Sequence, residues 1–155
     1  MKSLKDDSLQ DNKVTCLDVS EDGGFLISGY RGGQVALWDL VGYKLIKIAP
    51  DPHTTEVINA KIYHMDDNET LLAVSSEESG RVQHLKFTKK SFLGGYSVEP
   101  QLLFKQRLKF TSGIVVQRHS ELYPNKFCEA SSLTAFAAAN EIVVCAMRPK
   151  IKELF

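Results

Sequence analysis

Histidine, cysteine and clustered carboxylates are the residue types in this sequence that could carry out chemistry. His119 and Cys128 could form a metal site or a nucleophile–base pair, but each stands alone, whereas zinc needs four convergent ligands, commonly in closely spaced pairs. Residues 66–69, Asp-Asp-Asn-Glu, share acidic character with a calcium loop but lack its central glycine and distal glutamate. We therefore expect no catalytic residues, no metal site and no cofactor.

The glycine-containing stretches lack the neighbouring residues that would complete a functional motif, and the overall charge is balanced. No phosphate-loop or dinucleotide motif follows Gly94-Gly95, and Ser28-Gly29 is not part of a GxSxG nucleophile turn. The 19 basic and 19 acidic side chains balance to a formal net charge of zero, so electrostatics give no reason to expect nucleic-acid binding.

The cysteines and the N-terminus bear on the compartment. Cys16, Cys128 and Cys145 are far apart and odd in number, which disfavours a disulfide framework and favours a reducing, cytoplasmic setting. Residues 1–13 are polar and do not form a signal peptide. No apolar run approaches the roughly 18–20 residues that span a bilayer, so we expect no transmembrane segment.

Short alternating runs bounded by turns predict an all-β chain. The predicted strands cover residues 14–19, 25–30, 34–40 and 44–48, then 57–63, 71–76, 82–87 and 102–104, then 114–117, 133–138 and 142–147. The cycle repeats: Val14 to Val57 is 43 residues and Val35 to Val82 is 47, near the roughly 40–45 residues of a four-stranded propeller blade.

The repeat predicts a partial β-propeller of two to three four-stranded antiparallel blades. Blade one covers 14–49, blade two 57–105 and an incomplete blade three 114–155, after a polar N-terminal extension over 1–13. A β-sandwich with accidental repeats is the alternative fold. Because propellers typically use 4–8 blades, we expect a fragment of a seven-bladed ring, poorly stable or prone to association when alone.

The first cycle resembles the WD-repeat family at its small pair, its glycine turn, its terminal Trp-Asp and a histidine before the next blade. The residues that carry this resemblance are Ser28, Gly29, Gly32, Gly33, Trp38, Asp39 and His53. Gly32 replaces the aspartate that WD repeats often place in the turn, and Leu85 stands where the second repeat would have tryptophan. These departures predict that the family's buried polar network cannot form in the first cycle and that apolar packing holds the blades. Trp38 is expected to pack within its blade, with a partner-binding anchor as the alternative.

The order of segments 14–23, 29–40, 57–62 and 79–87 more specifically resembles the N-terminal propeller of the vacuolar protein sorting-associated protein 8 (Vps8) family. This resemblance implies a subunit of the CORVET tethering complex in endosome-to-vacuole transport. It also implies binding to other tethering-complex subunits and to an early-endosomal Rab-type GTPase. Membrane association would then be peripheral, at endosomal or vacuolar membranes, and would depend on these partners.

Two other functions remain open at this point. One is a WD-repeat scaffold of another pathway, such as signalling or a ubiquitin-ligase substrate adaptor. The other is a propeller hydrolase or isomerase, for which the sequence offers no paired carboxylates, triad or metal set. Residues 88–97 predict a long loop whose aromatic residues, Phe92 and Tyr96, are the candidate partner contacts. An inert insertion is the alternative there.

Overall fold

Three antiparallel sheets make up the computed structural model, which describes residues 3–65, 70–90, 94–105, 112–117, 132–138 and 141–147. The first two sheets have four strands each and the third has three. The first contains β1 (Val14–Val19), β2 (Phe25–Tyr30), β3 (Val35–Asp39) and β4 (Lys44–Ile48). The second contains β5 (Val57–Met65), β6 (Thr70–Glu77), β7 (Arg81–Lys89) and β8 (Tyr96–Lys105). The third contains β9 (Ser112–Gln117), β10 (Ser132–Ala138) and β11 (Glu141–Met147).

Each four-stranded sheet is a meander in which every strand pairs with the next one in sequence. The strands β1, β5 and β9 each lie at one edge of their sheet, and β5 contacts both β1 and β9. This is the arrangement of inner strands around a propeller axis, with the sheets as successive blades. We call them blades one, two and three.

The turns follow from residues that tolerate unusual backbone angles or bond locally. In the β1–β2 turn Asp22 accepts a hydrogen bond from the Gly24 amide at 3.0 Å, and Gly23 has φ +72°. In the β2–β3 turn Gly33 has φ +87°, and a Cβ there would lie 2.0 Å from the His53 carbonyl oxygen. Glycine at position 33 is therefore required both by its own turn and by the chain that enters blade two.

The main core lies between blades one and two. Both sheets contribute fully buried apolar side chains, among them Ile27, Leu37, Val57, Ala73, Leu85 and Phe87. Burying each of the larger ones contributes about 1.5–3 kcal/mol. Polar bonds connect the inner strands as well: Thr15 Oγ1 donates to the Val57 carbonyl at 2.5 Å, and Lys61 Nζ lies 2.9 Å from Asp18 Oδ1.

The predicted N-terminal extension is part of the packed structure over residues 3–13. A 3₁₀ helix at Asp7–Leu9 places Leu9, which is buried, with Leu4 against a second cluster that includes Tyr30 and Trp38. Leu4 and Leu9 of this polar segment have a packing role that its composition alone does not show.

The predicted loop over 88–97 is shorter in the structure. The β7–β8 register runs to Lys89 opposite Tyr96, and the Lys90 amide donates to the Gly95 carbonyl at 2.9 Å. The connection therefore occupies residues 90–95, with Gly94 and Gly95 at φ +62° and +91°. Thr88 and Ser97, which the sequence analysis placed in the loop, pair with each other as part of the two strands.

Candidate interaction surface

The predicted repeat residues of blade one meet in a buried hydrogen-bonded group. Trp38 Nε1 donates to Ser28 Oγ at 2.8 Å, and the Ser28 hydroxyl lies 3.1 Å from the Tyr30 hydroxyl. Trp38 and Ser28 are both buried. The expectation that the family's polar network cannot form in the first cycle is therefore wrong for the bond between its tryptophan and its serine. The buried Trp38 acts in packing here.

Asn12 contacts the backbone at position 32, where WD repeats often have an aspartate. Asn12 Oδ1 accepts from the Gly32 amide at 2.9 Å, and its amide group also donates to the Gln34 side chain. A Cβ at Gly32 would lie 2.9 Å from Asn12 Nδ2 and 2.7 Å from Gln34 Oε1. Glycine at position 32 thus makes room for a side chain that comes from the N-terminal segment.

The remaining repeat residues fix turns and close approaches. A Cβ at Gly29 would lie 2.5 Å from both Cys16 Sγ and Val57 Cγ1, so glycine lets the inner strands of blades one and two approach. The Asp39 carboxylate accepts from the amides of Val41 and Gly42 at 2.9 and 2.8 Å and closes the β3–β4 turn.

In blade two, a buried polar group connects His53 to two residues of β6. His53 Nε2 lies 2.8 Å from Ser75 Oγ, and His53 Nδ1 lies 3.5 Å from Glu77 Oε2. The latter distance would be an ion-pair contact only for a protonated imidazole, and it is too long for a good hydrogen bond. Burial lowers the pKa of His53 to about 4, although Glu77 acts in the opposite direction. The imidazole is therefore neutral at pH 7. If its proton is on Nδ1, facing Glu77, then Nε2 accepts from the Ser75 hydroxyl.

Glu77 is a residue that the sequence analysis did not single out. Its carboxylate accepts from the Thr54 and Thr55 amides at 2.5 and 3.0 Å, and the Ser79 hydroxyl donates to it too. Burial acts to raise the pKa of Glu77, but these hydrogen bonds outweigh it and the net pKa is lowered. An ionised carboxylate thus holds the chain entering blade two against the β6–β7 turn.

The order Ser75–His53–Glu77 is that of a hydrolase triad, but its burial indicates a structural role. Ser75 and Glu77 are 0% exposed and His53 is 3% exposed, so a substrate carbonyl cannot reach Ser75 Oγ. A triad serine has to face a substrate and oxyanion donors. Within the described ranges no group of three or more His, Cys, Asp or Glu side chains could hold a metal ion.

The two predicted partner contacts have different outcomes. Phe92 lies outside the described residues. Tyr96 is the first residue of β8, half-buried, and its ring packs edge-on against Phe25 with 6.0 Å between ring centroids. Tyr96 therefore connects blade two to blade one instead of standing on an exposed loop.

A groove between blades one and two offers an open surface instead. The β1–β2 turn of blade one faces the end of β5 in blade two across a cavity of about 310 Å³. Its lining combines two acidic residues with polar and apolar groups: Ser20, Glu21, Asp22, Ile62, Tyr63, His64 and Met65. Asp18 holds the walls together, since its carboxylate accepts from Lys61 Nζ and from the Ile62 amide, both at 2.9 Å.

The groove carries negative charge that the rest of the described structure does not neutralise. At the opposite end of the sheets Glu56 pairs with Arg31 at 3.6 Å, and Asp51 pairs with Arg81 at 2.7 Å. Across the described part of the chain, no lysine or arginine forms an ion pair with Glu21 or Asp22. The groove therefore suits a positively charged side chain with an apolar stem.

Meander sheets, shared inner edges and a continuous blade-to-blade core define a WD-type β-propeller, of which this chain forms a partial ring. Solved structures agree on the fold. The WD40 domain of SCAP from fission yeast matches with a TM-score of 0.61 at 12% identity, covering 90% of this chain and 30% of that one. The Dos1 propeller matches with a TM-score of 0.54 at 15% identity, covering 89% and 34%.

Sequence comparison assigns the family. The Vps8 beta-propeller model matches residues 1–155, and the chain belongs to that family. It is 28% identical over 141 residues to the vacuolar protein sorting-associated protein 8 homologues of Mus musculus and Homo sapiens. That match covers 90% of this chain and 10% of each relative. No helix in the described ranges is long and apolar enough to cross a membrane.

Proposed function

We propose that the chain is a non-enzymatic protein-interaction scaffold in a membrane-tethering subunit of endosome-to-vacuole transport. The observation that carries this proposal is the family match over residues 1–155. Its partners are other tethering-complex subunits, of the CORVET type, and an early-endosomal Rab-type GTPase. It acts in the cytoplasm, and these partners hold it at the surface of endosomal or vacuolar membranes.

The groove between blades one and two is the contact that we assign to a protein partner. Its walls are fixed by the Asp18 bonds to blade two, so little ordering cost accompanies binding. Ile62, Tyr63 and the exposed Met65 line the same groove as the acidic pair, so that apolar area and charge lie side by side. A partner segment with an arginine or lysine next to an apolar residue fits this chemistry.

The test is a pull-down with the full-length protein and a purified early-endosomal Rab-type GTPase, loaded with either GDP or a non-hydrolysable GTP analogue. We expect capture that depends on the nucleotide, together with co-purification of other tethering subunits. Co-purification of signalling or ubiquitin-ligase components instead would favour a scaffold of another pathway and contradict the tethering role.

The groove is tested in the same experiment by reversing one charge. Glu21→Arg should lower capture of at least one partner about tenfold or more, because a like charge then faces the basic segment. Asp11→Arg is the matched control, since Asp11 is also exposed and lies before β1, at the other end of that strand. Equal effects of the two variants would remove the groove from the proposal and leave the tethering role to be judged by capture alone.

A further inference from the structure

Blade one has a face turned away from blade two, which we call the free face. The register places Leu17 beside Ser28 and Ala36, and Val19 beside Leu26 and Trp38, all on this face. Its inner strip, Leu17 and Val19 of β1, is 55% and 48% exposed. Its outer part is buried under Leu4 and Leu9 of the N-terminal segment. One face thus has an open half and a covered half.

The internal repeat identifies what the open half is built to contact. A shift of 43 residues takes Leu17 to Ala60 and Val19 to Ile62. Ala60 is 1% exposed and belongs to the core between blades one and two, and Ile62 packs against the same core. The same positions of the repeat that face solvent in blade one therefore contact a neighbouring blade in blade two.

The covered half is buried by different parts of the chain in the two blades. Leu85 takes the place in β7 that Trp38 takes in β3, and Leu85 is buried in the core against blade one. Trp38 is instead buried against the chain's own N-terminal segment. Asn12 fastens that segment to the β2–β3 turn through the Gly32 amide, and the Lys13 carbonyl accepts from the Arg31 amide at 2.9 Å.

We propose that residues 3–12 are a permanent partner of the outer half of the free face, and that a further blade of the same ring docks only on the inner strip. The occupant of the strip is the inner part of that blade, which presents apolar side chains as blade one presents Cys16 of β1 and Ile27 of β2 to blade two. The match covers 90% of this chain and 10% of each relative, so the relatives are about nine times its length and their chains have room for such a blade. In the closed ring, the N-terminal segment would then lie between the outer half of blade one and the blade that follows it around the ring.

Cysteine reactivity tests both halves of the face separately. Val19→Cys, Leu9→Cys and Val41→Cys are each made in the 155-residue chain and in a polypeptide extended at its C-terminus to a complete ring. Labelling with a maleimide is followed residue by residue by mass spectrometry, which separates the new thiols from Cys16, Cys128 and Cys145. Val41 is 80% exposed in the β3–β4 turn and serves as the control that reacts in both proteins.

We expect the cysteine at position 19 to react at least about tenfold more slowly in the extended protein than in the shorter chain. The cysteine at position 9 should stay protected in both. Equal reactivity at position 19 in the two proteins would show that no blade covers the strip. Reactivity gained at position 9 in the extended protein would show that the closing blade displaces the N-terminal segment. Protection at position 19 in the shorter chain with a doubled mass would make a second copy the occupant. Each of these three outcomes overturns the proposal.

Discussion

Trp38 donates its indole N–H to the hydroxyl of Ser28 across two neighbouring strands of blade one, with 2.8 Å between the two atoms. Both side chains are buried, so the bond forms where neither group can exchange it for water. A buried donor without a partner costs about 1–3 kcal/mol, whereas removing both members of a pair costs less.

We therefore expect Ser28→Ala to lower the free energy of unfolding by about 1–3 kcal/mol. The double variant Ser28→Ala with Trp38→Phe should lose less than the sum of the two single variants. Urea unfolding followed by circular dichroism measures all four proteins of this cycle, because Trp38 is the chain's one tryptophan and its fluorescence is lost on substitution. Strictly additive losses would mean that the hydrogen bond contributes nothing.

The glycine turns allow steric overlap to be separated from backbone strain. Gly33 and Gly94 both have positive φ, but a Cβ at Gly33 would lie 2.0 Å from the His53 carbonyl oxygen, whereas at Gly94 nothing lies within 4 Å. We expect Gly94→Ala to cost about 1–2 kcal/mol from the left-handed backbone alone. Gly33→Ala should cost clearly more, because the chain entering blade two must also move. Equal unfolding midpoints in urea would contradict the close approach of the two blades.

Much of the fold could be predicted from sequence because its signals are local. The turn at residues 20–24 and the alternation on either side of it place β1 and β2 correctly, and the 43-residue repeat predicts a second blade that the structure also shows. The partner of Gly32 could not be predicted, since Asn12 reaches it from 20 residues away. Glu77 was missed for a similar reason: in sequence it is an ordinary acidic turn residue, and only the fold brings the Thr54 and Thr55 amides to it.

One buried histidine, His53, and one half-buried histidine, His84, make stability depend on pH on the acidic side of neutrality. The pKa of His53 is about 4 in the folded chain, against 6.5 for an ordinary histidine, chiefly because of burial, and burial also lowers the pKa of His84. Between these two values the unfolded chain binds a proton at position 53 that the folded chain does not, so stability must fall as pH falls from about 6.5 to 4. Glu77 acts in the same direction further down, because its lowered pKa gives stability that is lost as the carboxylate protonates.

We expect the free energy of unfolding to decrease by about 3 kcal/mol through His53 alone between pH 7 and pH 4. Its measurement is a series of urea unfolding curves at half-unit pH steps. His53→Gln should flatten the part of the curve due to this residue, and His53→Gln with His84→Gln should flatten it further. A stability that stays constant down to pH 4.5 in the parent chain would contradict the burial of the His53 imidazole.

The N-terminal segment can be followed through the same tryptophan that it covers. Leu9 is buried against the cluster that contains Trp38, so Leu9→Ala should open a path for water to the indole. We expect a red shift of the emission maximum and a loss of about 2 kcal/mol or more in unfolding free energy, as for other buried leucines shortened to alanine. Gln10→Ala is the matched control, since Gln10 is exposed on the same helical turn and its side chain bonds only Asp7 among the contacts that the structure describes. An unchanged emission spectrum in Leu9→Ala would mean that the segment does not rest on blade one in solution, because shortening Leu9 would then have left the surroundings of the Trp38 indole as they were.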